Sequence, residues 1–285
     1  MTNKKSGNRT FSLVNGAVAD SIPLGDRGLS FGDSVFTTMK VLSGKIELLE
    51  AHLLRLIRDS QALHFPSMSS ELIRADLRAL PIEEMDSGTI RFTLTRGSGP
   101  RGYKIPDQAE PRRIAQWFPG SASKPPESGI NLRVCTTRLS SQPLTAGLKH
   151  GNRLEQVLAR SEWDDREVFE GLMLDQGNRI IEGTCSNFFI IDKQRLITPK
   201  LMDCGVKGVM RDLVIKVAQA LGFAVEQADL TLDSLATMNS GFICNALIGI
   251  VPVVRLEKKD WVRSPLFTTL QTHIRDELQK SLMRP

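Results

Sequence analysis

A chain of 285 residues with 41% hydrophobic and 24% charged residues is long enough for two modest domains, each with its own core. No run approaches the ~18 consecutive apolar residues that cross a bilayer, and the opening Met1-Thr-Asn-Lys-Lys-Ser-Gly-Asn-Arg-Thr10 lacks the apolar segment of a secretory signal, so a cytoplasmic enzyme is expected. The net charge of +5 comes from scattered Lys and Arg with no basic stripe, which argues against nucleic acid as the partner, and Cys135, Cys185, Cys204 and Cys244 lie in no metal-ligand spacing and read as buried free thiols.

The first element expected is a hairpin from Phe11 to Val18, because Asn15-Gly16 tolerates the positive φ angles of a type I′ turn. A second runs from Phe36 to Leu42, turns at Ser43-Gly44 and returns over Lys45 to Leu49. The period then becomes helical: Leu49, Leu53, Leu56, Ile57 and Leu63 share a face, and His52 and Arg55 are neighbours one turn apart. A second helix is expected from Ser70 to Leu80, then a strand from Thr89 to Thr95 that enters the glycine-rich Arg96-Gly-Ser-Gly-Pro-Arg-Gly-Tyr103.

Residues 120–129 have no apolar periodicity and read as a linker, dividing an amino-terminal domain at 1–119 from a carboxy-terminal domain at 130–285. Beyond it, Ile130 to Cys135 alternates as a strand, and Asn152-Arg-Leu-Glu155 is expected to act as a capping box for a helix reaching Ser161. A hairpin from Leu172 to Glu182 turns at Gly177-Asn178, and Asn187 to Ile191 forms the next strand, before a turn at Asp192-Lys193. Met210, Leu213, Val214, Val217 and Leu221 mark a helix between Gly208 and Gly222, followed by a strand, a short helix near Leu232 to Met238 and a buried strand from Gly241.

Several residues could carry chemistry. Lys149 lies between Leu148 and a helix start, where a partly apolar setting lowers an amine's pKa and makes it nucleophilic; most lysines, however, are solvated surface charge. Gly205-Val-Lys-Gly-Val-Met-Arg211 reads equally well as an anion-binding helix start or a plain tight turn. Asn245-Ala246 offers backbone donors to the same anion or is an ordinary turn, and Arg55 clamps a phosphate or snorkels to the surface. Glu182 follows two β-branched residues, and if buried it needs a cationic partner, of which a protonated pyridine nitrogen is one. Arg101 and Tyr103 sit in a glycine-rich loop suited to the carboxylate and hydroxyl groups of a substrate, or to no partner at all.

Taken together and in order, Asp26 to Thr38, Glu50-Ala-His-Leu-Leu-Arg-Leu56, Leu148 to Gln156, Glu182-Gly-Thr-Cys-Ser-Asn-Phe188 and Gly205 to Arg211 resemble the signatures of the fold-type IV pyridoxal-phosphate enzymes, the superfamily of branched-chain and D-amino-acid aminotransferases. The likeness runs from about Asn15 to Pro252. It implies an α+β or α/β protein of two domains, the smaller amino-terminal one α/β and the larger carboxy-terminal one with mixed sheets, assembled as a homodimer. It also implies pyridoxal 5'-phosphate, with Lys149 as the Schiff-base lysine, Glu182 at the pyridine nitrogen, Arg55 on the phosphate and the amides of Val209 and Met210 completing a phosphate cup near Asn245 and Ala246. Many relatives have threonine where Met210 stands, and Ala246 also lacks a hydroxyl that some supply.

Arg96 to Tyr103, Leu148 to Gln156 and Phe242 to Leu247 are similar to the branch of the superfamily that splits 4-amino-4-deoxychorismate into 4-aminobenzoate, a folate precursor, and pyruvate. Tyr103 stands where D-amino-acid aminotransferases have histidine, and Thr37 where transaminases tend to be acidic. The likeness implies that Lys149 acts as base, that Thr38 takes part in proton delivery to the enolpyruvyl group, and that Arg101 meets a substrate carboxylate. A D-amino-acid or branched-chain aminotransferase of the same fold is the rival reading. A non-catalytic anion-binding module is a more distant one.

Overall fold

The computed structural model describes residues 10–82, 87–120 and 124–285; the opening residues read as lacking a leader, and 121–123 of the expected linker, lie outside the described residues. Two compact units emerge. One holds the described part of Met1–Ala122 together with Lys149–Asn152 and Leu278–Pro285, and the other Ser123–Leu148 with Arg153–Glu277. A single division at 120–129 does not account for the two late segments that pack with the first unit.

In the first unit, β1 (Phe11–Val14) and β2 (Ala17–Val18) are joined by Asn15 at φ 51° and Gly16 at φ 82°, the left-handed pair that the expected turn requires. A short helix absent from the sequence reading, α1 (Arg27–Phe31), comes next and is capped by the Asp26 carboxylate. Then come β3 (Ser34–Leu42), β4 (Lys45–Ile46), α2 (Leu49–Ala62), α3 (Ser70–Arg78), β5 (Ser87–Thr95) and β6 (Arg112–Pro119). The return strand β4 is shorter than expected because Leu48 takes a left-handed φ of 53° and Leu49 already opens the helix. The strands form one antiparallel sheet in the order β2-β1-β6-β5-β3-β4. Alternation along β3 sends Val35, Met39 and Val41 into a core shared with Leu49, Leu53 and Leu56 of α2.

The second unit carries a mixed sheet built from β7 (Ile130–Leu139), β8 (Val168–Asp175), β9 (Arg179–Gly183), β10 (Asn187–Asp192), β11 (Arg195–Pro199), β12 (Ala224–Ala228), β13 (Leu230–Thr231), β14 (Gly241–Asn245) and β15 (Gly249–Leu256), with β16 (Lys259–Asp260) at the side of β15. Its order is β12-β11-β10-β14-β15-β7-β8-β9-β13, with parallel pairing of β11 to β12, β15 to β7 and β7 to β8. Three helices accompany it: α4 (Leu154–Arg160), α5 (Val209–Ala220) and α6 (Pro265–Lys280), the last unforeseen. The short helix expected near Leu232 is a single 3-10 turn at Asp233–Leu235. No helix among the described residues is long and apolar enough to cross a membrane.

The capping box at Asn152 does not form. Arg153 is the N-cap of α4 and its side chain does not cap the helix, Asn152 Nδ2 donates to the Gly32 carbonyl, and Glu155 Oε1 accepts the Ser140 amide instead. Three of the four cysteines are buried and free as expected, but Cys185 is exposed, because its turn presents its amide, not its thiol, to the interior.

Candidate active site

Three consecutive residues of the first unit form a miniature strand against the start of β3. The Phe36 amide donates to the Lys149 carbonyl at 2.9 Å, His150 bridges Val35, and the Gly151 amide donates to Ser34 at 2.8 Å. On its other side the Lys149 amide donates to Asp59 Oδ2 at 2.9 Å. The backbone of Lys149 is thus held at both its amide and its carbonyl. Its Nζ lies 4.6 Å from the centre of the Phe36 ring, which the Arg91 guanidinium approaches to 4.2 Å. Thr38, two residues on from Phe36, shares that face of β3 by strand alternation and is half-buried.

The opposite face of β3 presents Thr37 to α2. Arg55 and His52 are buried together on that helix, Arg55 Nη2 donates to Thr37 Oγ1, and Thr37 Oγ1 lies 2.7 Å from His52 Nδ1. Thr37 Oγ1 accepts from Arg55 and shares a hydrogen bond with His52 Nδ1, so the three side chains form one buried chain. Burial lowers its pKa well below the ordinary imidazole value, and the positive charges of Arg55 and Lys149 lower it further. Arg55 is therefore a buried, oriented cation and not a snorkelling one.

In the second unit Glu182 is buried on β9, and its Oε2 accepts the Val206 amide at 2.8 Å. Val206 lies in the glycine-flanked segment that pairs with Gly147: the Gly147 amide donates to Gly205 and the Lys207 amide to Gly147. Asn187 braces the same segment through a bond from Nδ2 to the Val206 carbonyl at 2.8 Å. A Cβ on Gly208 would fall 2.3 Å from Asn187 Oδ1, so glycine is what lets the cap of α5 close against this side chain. With glycine there, no side chain caps α5, which begins at Val209 and Met210.

Asn245 uses its side chain locally: Oδ1 accepts the Leu247 and Ile248 amides at 2.9 and 3.0 Å, and Nδ2 donates to the Cys185 carbonyl. Ala246 sits in the turn just after it. The Cys185 turn is held from beneath by a residue that sequence reasoning passed over. Glu170 on β8 is buried and accepts from the Cys185 amide at 2.6 Å and the Ser186 hydroxyl at 2.9 Å. Burial raises its pKa, opposed by those hydrogen bonds.

Arg101 and Tyr103 are exposed on the glycine-rich loop. The loop is tied down by buried Arg27, whose guanidinium donates to the Gly102 and Tyr103 carbonyls at 3.0 and 3.3 Å and to Asp33 at 2.9 Å, while the Tyr103 ring packs 5.4 Å from Phe31. Asp59 and Glu170 are thus residues that the motifs did not reveal, while His52 and Arg27 lie within the motifs Glu50 to Leu56 and Asp26 to Thr38 but were given no role there. For His52 a further signal was its helical spacing from Arg55; Asp59 and Glu170 have none.

Residues 34–256 match the family described as Amino-transferase class IV, and the chain belongs to that family. Over 242 residues, 84% of this chain and 89% of the relative, it is 36% identical to the aminodeoxychorismate lyase of Vibrio harveyi. The crystal structure of 4-amino-4-deoxychorismate lyase from Pseudomonas aeruginosa is similar at a TM-score of 0.89 and 40% identity, covering 94% of this chain and 99% of that one. A putative branched-chain-amino-acid aminotransferase of Methanocaldococcus jannaschii is 31% identical over 256 residues, 86% of this chain and 87% of the relative. The fold-type IV architecture implied by the motifs is the one observed, with its mixed α and β content and two sheets.

Proposed function

We propose that this chain is a pyridoxal-phosphate-dependent lyase that converts 4-amino-4-deoxychorismate to 4-aminobenzoate and pyruvate, with Lys149 as the lysine that carries the cofactor. The observation that carries the reading is the lysine's setting: a backbone held at both amide and carbonyl, in a chain 36% identical to a lyase of that name.

The donor set fits a phosphorylated pyridine aldehyde. Glu182 supplies a buried carboxylate for a protonated ring nitrogen, Arg55 a buried guanidinium for phosphate, and the uncapped start of α5 the amides of Val209 and Met210. Asn245 and Ala246 complete the cup through their backbone, since the Asn245 side chain is engaged in its own turn and at Cys185. The bound cofactor supplies an electron sink for carbon attached to its imine nitrogen.

The rest is the protein's work. Lys149 Nζ is the base that takes the proton from C4 of the substrate ring. Thr38 Oγ1, on the Phe36 face of β3, belongs to the relay that returns a proton to the enolpyruvyl methylene as the ring carbon–oxygen bond breaks. One proton leaves the ring and one joins the departing pyruvate, so the reaction is redox-neutral and the gain is an aromatic ring. Arg101 meets a substrate carboxylate and Tyr103 a polar group beside it, on the loop that Arg27 ties down.

A homodimer and a cytoplasmic location belong to the same reading. Exposed Leu154, Val157 and Leu158 on α4 support the first, and four cysteines without a disulfide the second. The test is purified protein with aminodeoxychorismate, following pyruvate and 4-aminobenzoate together; equal yields of the two are expected, and their absence would remove the assignment.

A further inference from the structure

We propose that Asp59 is a positioning residue for Lys149, setting where the lysine's amine lies by holding its backbone amide. The inference rests on the reading that Lys149 carries the cofactor.

Asp59 is only 1% exposed, yet its two carboxylate oxygens have different tasks. Oδ1 accepts from Arg58 Nε and Nη2 at 2.9 and 2.7 Å, and Oδ2 accepts the Lys149 amide at 2.9 Å. The Arg58 pair lessens the cost of burying the charge, because an unpaired buried carboxylate is expensive. The second oxygen is then committed to a single neutral backbone group. A charged acceptor makes a shorter and stronger bond to an amide than a neutral one does.

The rest of the local backbone explains why that amide is worth holding. From the Lys149 carbonyl onward the segment is paired with β3 through Phe36, Val35 and Ser34. Two residues before Lys149, Gly147 has a φ of 81°, a conformation only glycine adopts freely. The amide of Lys149 therefore lies between the Gly147 turn and a paired strand, and Asp59 is the group that accepts it. With both peptide planes set, the position of Nζ depends on side-chain torsions alone. Asp59 also lies one turn beyond Arg55 on α2, so a single helix mounts the buried guanidinium and fixes the lysine's backbone.

The test uses the full-length holoenzyme as wild type, Asp59→Ala, Asp59→Asn and Arg58→Ala. Each is measured for hydrogen exchange of the Lys149 amide, for kcat and KM separately, and for thermal unfolding. In Asp59→Ala the Lys149 amide should exchange at least about 10-fold faster while the α2 amides keep their protection. Its kcat should fall about 10- to 100-fold, the scale of a misplaced reacting group, with KM within about threefold. Asp59→Asn keeps an acceptor oxygen and should recover kcat to within about fivefold, and Arg58→Ala, which leaves Oδ2 in place but removes the cation paired with Asp59, should likewise stay within about fivefold of wild type in exchange and kcat. Should Asp59→Ala not fold, Asp59→Ser, too short to reach the amide, takes its place. Wild-type exchange and kcat in the Ala variant, or an equal loss in Arg58→Ala, would overturn the proposal. Borohydride reduction of the wild type separates this from the functional reading: a label on another lysine defeats that reading, while the exchange data still decide whether Asp59 holds the amide.

Discussion

Glu182 and Val206 are joined by a 2.8 Å hydrogen bond from the Val206 amide to Glu182 Oε2, and Val206 pairs with Gly147, two residues before Lys149 in the chain. The carboxylate proposed for the pyridine nitrogen and the segment leading into the lysine proposed to carry the cofactor are therefore braced by one short piece of backbone.

Glu182→Gln keeps an oxygen for the Val206 amide but loses the charge that holds a pyridine nitrogen protonated. Turnover should fall by roughly 10²- to 10³-fold, with the fold intact by circular dichroism. A variant that retained wild-type kcat at full cofactor occupancy would exclude Glu182 from this role.

Borohydride reduction of the holoenzyme should attach the cofactor to Lys149, since only an amine at the carbonyl carbon is trapped there. Peptide mapping reads the position. Lys149→Ala should lose turnover yet retain pyridoxal phosphate without a covalent bond, through the phosphate contacts of Arg55 and the start of α5.

Thr38→Val removes a hydroxyl at nearly constant volume. Pyruvate release should slow by about 10²- to 10⁴-fold, the usual cost of a lost proton-transfer group, while cofactor affinity changes little. Stopped-flow measurement of pyruvate alongside a cofactor titration separates the two effects, and equal losses in both would assign Thr38 to binding.

Lyase and aminotransferase diverge once the C4 proton has been removed, because an enolpyruvyl ether offers a leaving group that an ordinary amino acid lacks. Wild-type protein should give equal pyruvate and 4-aminobenzoate with little pyridoxamine phosphate. Stoichiometric conversion to pyridoxamine phosphate with D-alanine or a branched-chain amino acid, and no 4-aminobenzoate from aminodeoxychorismate, would decide for the aminotransferase.

His52 gives the fold a pH dependence with a definite sign. Its native pKa lies below the ordinary 6.5, so the neutral ring contributes stability that is complete above that value and is lost as pH falls through the depressed native pKa. The unfolding temperature of the wild type should therefore drop more between pH 7 and pH 5 than that of His52→Gln. Parallel curves for the two proteins would show that His52 titrates normally.

Much of this architecture is legible from local pattern. Asn15-Gly16, Ser43-Gly44 and the apolar spacing from Leu49 to Leu63 each act through neighbours a few residues away, and the hairpins and α2 form as that pattern dictates. The strand β6 and the helix α6 are not legible in this way: Arg112-Arg-Ile-Ala-Gln-Trp alternates weakly, and α6 buries only Phe267, Leu270 and Ile274 along 16 residues. The capping box fails for a related reason, because Asn152 and Glu155 find partners at Gly32 and Ser140 that no local window contains. Among site residues, Lys149, Glu182 and Arg55 stand out through the family motifs. Asp59 does not, since its significance lies in a bond to a backbone amide 90 positions away.

The carboxy-terminal tail of the first unit has a consequence for how the chain must be made. In the sheet order β2-β1-β6-β5-β3-β4, strand β4 is an edge, and Met283 exchanges backbone hydrogen bonds with Ile46 there, while Ser281 accepts the Leu48 amide from 233 residues away. An uncovered strand edge is a template for pairing with other chains. During synthesis that edge emerges 233 residues before its cover, so the nascent chain elongates through that stretch with the edge open. Chains cut before Leu278 should therefore aggregate in proportion to their concentration even when both cores are complete. A short added peptide spanning Leu278–Pro285 should slow that aggregation.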